Sequence, residues 1–279
     1  MKIIKKASEM QRIAQKLFKE GEEVGLVPTM GALHEGHVSL INKSVKQDDF
    51  TIVSIFVNPT QFGPGEDYLK YPRSFEKDVA VCKKNHVDYI FAPSVAEMFP
   101  EGYKTFVEVN EMQDVLCGAF RKGHFRGVAT VISKLFNITF AERAYFGIKD
   151  FQQLKIIEKM SKDLNFRTKI VPCQLIREKS GLAMSSRNFY LGEDEKLAAA
   201  GISKILKEAQ SEFKNKNALQ VLKKVRTALE SVKGGKVDYA EIRDYKNLSA
   251  ININTKKAVL AVGVWIGKTR LIDNIMLSK

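Results

Sequence analysis

The 279-residue chain is poor in cysteine and tryptophan, with three of the first and one of the second. Cys82, Cys117 and Cys173 are widely spaced, odd in number and form no CxxC pair. That excludes a disulfide framework and a cysteine-based structural zinc site, and it predicts a reducing, cytoplasmic setting in which the thiols are small apolar fillers. No apolar run approaches the roughly 20 residues needed to cross a bilayer. The first twenty residues are basic but lack a continuous apolar stretch, so they do not read as a secretory signal. GxSxG is missing, and with it a nucleophile elbow. His-Glu-Gly-His at 34–37 lacks the His-Glu-x-x-His spacing of zinc proteases. There is no internal repeat and no low-complexity segment.

Positive charge, by contrast, is abundant: the formal net charge is +13. It points to anionic partners, yet the basic residues are scattered at helical spacing among apolar ones. A solvated lysine-rich surface is the plainer reading of them.

The hydrophobic pattern alternates between strand and helix periods. An amphipathic helix with Ser8 as its cap follows a short first strand. Apolar runs at 24–28, 50–57, 87–93, 143–147 and 168–173 read as strands, and 105–109 alternates weakly. Segments 36–46, 74–85, 127–139 and 150–164 read as helices. Strand–helix alternation predicts a Rossmann-like, doubly wound parallel sheet over residues 1–175. After 175 the order changes to two lysine-rich helices and three strands, a smaller α+β domain over 176–279. Trp265 falls in an apolar strand and reads as core.

Four stretches concentrate chemistry. In VPTMGALHEGH, a strand ends at Thr29-Met30-Gly31 and a helix opens at His34 and His37. Backbone N–H groups at a helix start, joined by two imidazoles, make a seat for phosphate oxygens, or else simply a capping pair. FVNPTQFGPGEDYLKYPR leaves a buried strand through turn residues that carry the amides Asn58 and Gln61. In GHFRGVATV…FGIKDFQQL, Lys149 stands at a strand end, Asp150 is a candidate helix cap, and His124 and Arg126 precede a helix from which they reach the same crevice. REKSGLAMSSRN places Ser185, Ser186 and Arg187 on a glycine-flanked loop between the domains, where a cation can close over a triphosphate. Ser186 as a helix cap is the plainer reading of that tetrapeptide.

PTMGALHEGH together with MSSRN resembles the paired HIGH-type and KMSKS-type signatures of the class I aminoacyl-tRNA synthetase and nucleotidyltransferase superfamily. With FVNPTQF, YPR, GHFRGVATV, FGIKDFQQL and REKSGLAMSSRN in this order, the chain resembles the pantoate–β-alanine ligases over essentially its whole length. The resemblance implies ATP-dependent condensation of (R)-pantoate with β-alanine through a pantoyl adenylate, releasing AMP and pyrophosphate. It implies Mg²⁺ with the nucleotide, a homodimer, and small-molecule substrates rather than nucleic acid or membrane. It places Met30, Gly31, Ala32, Leu33, His34, Glu35, Gly36 and His37 at ATP, with His37 as proton donor. Gly147, Ile148, Lys149, Asp150, Ile176, Met184, Ser185, Ser186 and Arg187 complete the nucleotide contacts. Gln61 and Gln153 fall at pantoate, and Gln61 also at β-alanine. His34, His37, Lys149 and Arg187 form the expected catalytic set. The acidic pair expected after YPR is interrupted here as Glu76-Lys77-Asp78, which leaves the metal ligands unassigned.

Two rivals share part of this pattern. Another nucleotidyltransferase would carry the histidine motif but not FVNPTQF or FGIKDFQQL. A basic RNA-binding module would fit the charge, but it would need interleaved aromatic and basic residues that this sequence lacks.

Overall fold

The computed structural model describes residues 1–278. Its N-terminal body contains β1 (Lys2–Ile4), α1 (Ala7–Lys19), β2 (Val24–Thr29), α2 (Glu35–Gln47) and β3 (Phe50–Ile55). α3 (Phe75–Lys84), β4 (Tyr89–Phe91) and the single turns α4 (Val95–Met98) and α5 (Cys117–Phe120) follow. α6 (His124–Thr139), β5 (Arg143–Gly147), α7 (Phe151–Asp163) and β6 (Lys169–Cys173) complete it. All six strands are parallel, in the order β1-β4-β3-β2-β5-β6. β-branched and aromatic residues fill them because helices cover both faces, and Ile52, Val53 and Ile90 are completely buried. The chain runs from β2 toward β3 in one direction, while β5 and β6 build outward on the other side. That reversal opens a crevice beyond the carboxyl ends of β2 and β5, where ligands bind in such sheets.

The C-terminal unit holds α8 (Glu193–Phe213), α9 (Ala218–Glu230) and the strands β7 (Gly235–Asp244), β8 (Lys257–Ile266) and β9 (Thr269–Ser278). The strands form an antiparallel sheet in chain order. One face, with Ala240, Ile242, Leu260, Val262, Val264 and Ile266, packs with buried residues of α8 and α9 such as Leu206, Val225 and Leu229. Tyr239, Val259 and Ala261 on the other face join the core of the N-terminal body. Burial on both sides explains why β8 reads as an unbroken apolar run.

Three local expectations change. Ser8 lies inside α1, whose first N–H, at Ala7, is instead taken by the Glu97 carboxylate at 2.9 Å. Residues 105–109 form no strand; the Val107 N–H donates to Thr130 Oγ1 of α6. Trp265 is only partly buried, its Nε1–H donating to Asp238 at 2.8 Å, because the indole lies beside a cavity. The cysteines are free and buried, as expected. Burial pushes the Cys82 thiol up to about 12, which keeps it protonated and inert. Among the described residues no helix is long and apolar enough to cross a membrane.

Candidate active site

A cavity of about 210 Å³ occupies the crevice between the ends of β2, β3 and β5. Its polar wall begins where β2 ends. The turn after Met30 runs through positive φ at Gly31 (82°) and Ala32 (49°). Asp78 of α3, itself 2% exposed, holds that turn. Its two carboxylate oxygens accept from Ala32 N at 3.0 Å and Leu33 N at 2.8 Å. The carboxylate is thereby spent on the chain itself. Glu76 points to solvent, and no group of three or more His, Cys, Asp or Glu among the described residues could hold a metal. These residues do not form a Mg²⁺ cage.

The two histidines then open α2 by capping it reciprocally. His34 is the N-cap, and its Nδ1 accepts from Gly36 N at 3.1 Å. The Nδ1 of His37 accepts in return from His34 N at 3.3 Å. Gly36 permits this: a Cβ there would stand 2.8 Å from the His34 imidazole. The rings lie 4.0 Å apart, centre to centre. Because each Nδ1 accepts a main-chain N–H, a neutral ring must carry its proton on Nε2. Burial, then the Lys149 charge, lowers His34 to about 4, with Asp150 opposing. Burial, with His34 and Lys149 adding to it, holds His37 well below the usual histidine range. At neutral pH both are uncharged N–H donors.

The cations come from two other elements. Lys149 sits on a 3₁₀ turn, Ile148–Asp150, between β5 and α7. Asp150 occupies the N-cap position of α7 but bonds no N–H there; its carboxylate stands 3.5 Å from Lys149 Nζ. Arg187 lies at the end of a hairpin closed by the Arg177–Ala183 bridge and by Met184 N donating to Ile176 O at 3.0 Å. The glycine-flanked segment is thus a bonded hairpin rather than an open loop. Ser185, not Ser186, caps the following turn. Ser186 Oγ donates to Ala32 O at 3.2 Å and ties the hairpin to the histidine turn. The guanidinium of Arg187 is occupied by Asp67, with Nε at 2.9 Å and a second nitrogen at 2.8 Å.

Opposite the cations, the amide of Gln61 is fixed in orientation. Asn58 donates to its Oε1 at 3.0 Å, while its Nε2 lies 3.2 Å from Met30 Sδ. α6 presses on this turn through Gly127, where a Cβ would come within 2.3 Å of Thr60 O. His124 Nδ1 and Arg121 also reach the Gln61 carbonyl, at 2.8 and 3.2 Å. His124 therefore braces Gln61 rather than facing the first cavity. Arg126 turns outward, 3.8 Å over the Phe106 ring and 3.5 Å from Glu108.

Met30, His34, Gly36, His37, Gln61, Gly147, Lys149, Asp150, Gln153, Ile176, Met184, Ser185, Ser186 and Arg187 all line the one cavity. Gly31, Ala32, Leu33, Glu35 and Ile148 do not line it; the first three form the turn that Asp78 holds, and Glu35 is exposed. Sequence reasoning missed the apolar wall: Val128, Val131, Ile132 and Leu135 of α6, with Phe56 and Phe146. Their i, i+3, i+4, i+7 spacing read as ordinary core. The available signal was that α6 is apolar nearly all round, more than one packing face requires. Tyr71, within the YPR stretch, and Ser54, whose buried Oγ has no partner, also line it. A wider cavity of about 830 Å³ adjoins the first, shares Lys149 and Arg187 with it, and reaches Trp265 and Arg270 of the C-terminal sheet.

The family model for pantoate-beta-alanine ligase matches residues 2–276. The pantothenate synthetase of Endomicrobium trichonymphae is 66% identical over 100% of this chain and 99% of its own length. That of a Sulfurihydrogenibium species is 51% identical over 99% of each chain. A Thermus thermophilus pantothenate synthetase structure superposes with a TM-score of 0.92 at 38% identity, covering 99% of both chains. The Francisella tularensis pantoate-beta-alanine ligase, solved with beta-gamma ATP and beta-alanine, gives 0.83 at 37% identity over 99% of this chain and 97% of that one. A family model spanning residues 2–276 and relatives 51–66% identical over 99% of their own length show that the chain belongs to the pantoate–β-alanine ligase family.

Proposed function

We propose that this protein joins pantoate to β-alanine at the expense of ATP, and that the reaction passes through a pantoyl adenylate. The observation that carries the reading is the convergence of two neutral Nε2–H donors, Lys149 and Arg187 on a single cavity with an apolar opposite wall. A carboxylate attacking an α-phosphate needs alignment, charge stabilisation and exclusion of water, and no protein nucleophile. Pantoate carries a carboxylate, and its two hydroxyls sit on the carbons either side of the one that bears paired methyl groups. The methyls fit against Val128, Val131, Ile132 and Leu135 of α6, and the hydroxyls meet the amides of Gln61 and Gln153. Asn58 holds the Gln61 Oε1, so Gln61 offers pantoate a donor.

ATP lies along the histidine turn, Gly147 to Asp150 and the Ile176 and Met184–Arg187 hairpin. His34 and His37 donate Nε2–H to phosphate oxygens as charge develops on them, and being neutral they do so without repelling the neighbouring lysine. Lys149 and Arg187 neutralise the α-phosphate and the departing pyrophosphate. Arg187 exchanges Asp67 for phosphate when nucleotide arrives. Any Mg²⁺ that accompanies the nucleotide would supply charge neutralisation on the phosphates, and no carboxylate cage among the described residues of this cleft would hold it. The neutral amine of β-alanine then attacks the acyl carbon from the Gln61 side, forming the C–N bond as the C–O bond to AMP breaks, and the amine proton passes to water. The unit over 176–279 serves as the lid that carries Arg187.

The test is incubation with ATP, Mg²⁺ and both acids, assaying AMP and pantothenate, and then omission of β-alanine. Pantoate-dependent exchange of pyrophosphate into ATP without β-alanine is the expected result. Pantothenate formation with no such exchange would rule out a freely reversible adenylate step.

A further inference from the structure

We propose that Asn274, on strand β9 of the C-terminal sheet, is a positioning residue for Lys149. The inference rests on the adenylation role given to Lys149 above. Asn274 is 6% exposed and pairs in register with Ala261 in the middle of the β8–β9 ladder. Its amide nitrogen donates to two successive main-chain carbonyls of the N-terminal body, Ile148 O at 2.9 Å and Lys149 O at 2.8 Å. Those carbonyls belong to the 3₁₀ turn that aims Lys149 into the cavity. Such a turn has poor internal hydrogen-bond geometry, so its shape depends on what holds it from outside. Among the described residues, no other side chain from outside the turn bonds to its main chain.

The choice of residue follows from the acceptors. Two carbonyls need two N–H groups, which a primary amide supplies from one nitrogen. A carboxylate would set negative oxygen against them, and alanine would remove the donor from both partly buried acceptors.

The neighbouring residue strengthens the assignment. Asp273, 5% exposed, receives both terminal nitrogens of Arg177 at 2.6 and 3.0 Å. Arg177 also donates to Gly181 O at 3.1 Å, and so fixes the base of the hairpin that carries Arg187. Successive strand residues face opposite ways. β9 therefore grips the lysine turn with one side chain and the arginine hairpin with the next. The spacing of the two cations is set by one strand of the other structural unit, and the cleft is fully formed only when that unit is seated.

The experiment is a double-mutant cycle on the full chain, read as pantoate-dependent ATP–pyrophosphate exchange. Asn274→Ala should lower kcat on the order of 10- to 100-fold, as expected for a slight misplacement of a reacting group. Its KM for ATP should stay within about threefold of the parent. Added to Lys149→Ala, it should change the rate by less than about twofold, because both substitutions remove one function. Multiplying losses would show that Asn274 acts independently of Lys149 and would overturn the proposal. Exchange unchanged by Lys149→Ala alone would overturn the adenylation role of Lys149, and the proposal with it; the single variant identifies that failure. Asn274→Ser keeps one donor and serves if the alanine variant does not fold. A partial loss that vanishes in the Lys149→Ala background is expected, and a loss that persists there counts against the proposal.

Discussion

The imidazoles and the cations share one cleft but are held by opposite means. His34 and His37 are fixed by main-chain N–H groups at the start of α2, contacts that no substrate can replace. Arg187 is held by Asp67 and Lys149 stands beside Asp150, and phosphate oxygens can take the place of either carboxylate. One half of the site is preorganised, and the other is kept neutral until an anion arrives. On the proposed reading, fixed neutral donors give alignment without repelling the cations, while exchangeable ion pairs allow charge to be handed to the substrate. Several experiments can break that contrast.

The largest effect belongs to the exchangeable half. Lys149→Ala should cost on the order of 3 kcal/mol in adenylate formation, typical of removing a group that stabilises charge in a transition state. A loss confined to KM would mean that it binds ground and transition states alike.

The fixed half has a pH signature. His34 titrates near 6.5 in an unfolded chain and near 4 here, so the native state favours the neutral ring. Its contribution to stability is present above pH 6.5 and is lost as pH falls from 6.5 toward 4, by at most about 3 kcal/mol. His37 adds a loss of the same sign. Urea melts across pH 7.5 to 4.5 should show stability declining below 6.5, and a flat profile would contradict the neutral-ring assignment.

His34→Asn sharpens the contrast further. Asparagine is an excellent N-cap and keeps an acceptor for Gly36 N, but it lacks the reach of Nε2–H. Stability should change by less than about 1 kcal/mol. Adenylate formation should slow by about 2 kcal/mol, typical of a lost hydrogen bond to a charged acceptor. Equal losses in both would make the residue a cap only.

Asp67→Asn gives the smallest effect. If the carboxylate competes with phosphate for Arg187, the KM for ATP should fall about threefold, the scale of a partly exposed ion pair. A rise would show that Asp67 positions Arg187 instead.

The parallel sheet was legible because its strands are continuous β-branched runs separated by helical periods. The histidine pair at the start of α2 was legible because a strand ending in Thr-Met-Gly before a helix is a local signal. Most other cleft residues came from the family resemblance, and the caps expected at Ser8, Ser186 and Asp150 are not formed. Long-range pairing was not legible. Nothing in Glu76-Lys77-Asp78 reveals that Asp78 caps a turn 46 residues earlier in the chain, and the family pattern left its role unassigned. Arg126 looked equivalent to His124 until helical phase placed them on different faces of α6. The α6 wall and Asn274 look like ordinary core, since spacing shows which face is apolar but not which neighbour it meets.

The most direct test of the central claim is the protonation state of His34 and His37 at pH 7, read from the side-chain ¹⁵N resonances of the labelled protein. Protonated Nε2 with unprotonated Nδ1 in both rings is the expected result. An imidazolium, or a proton on Nδ1, in either ring would contradict the account.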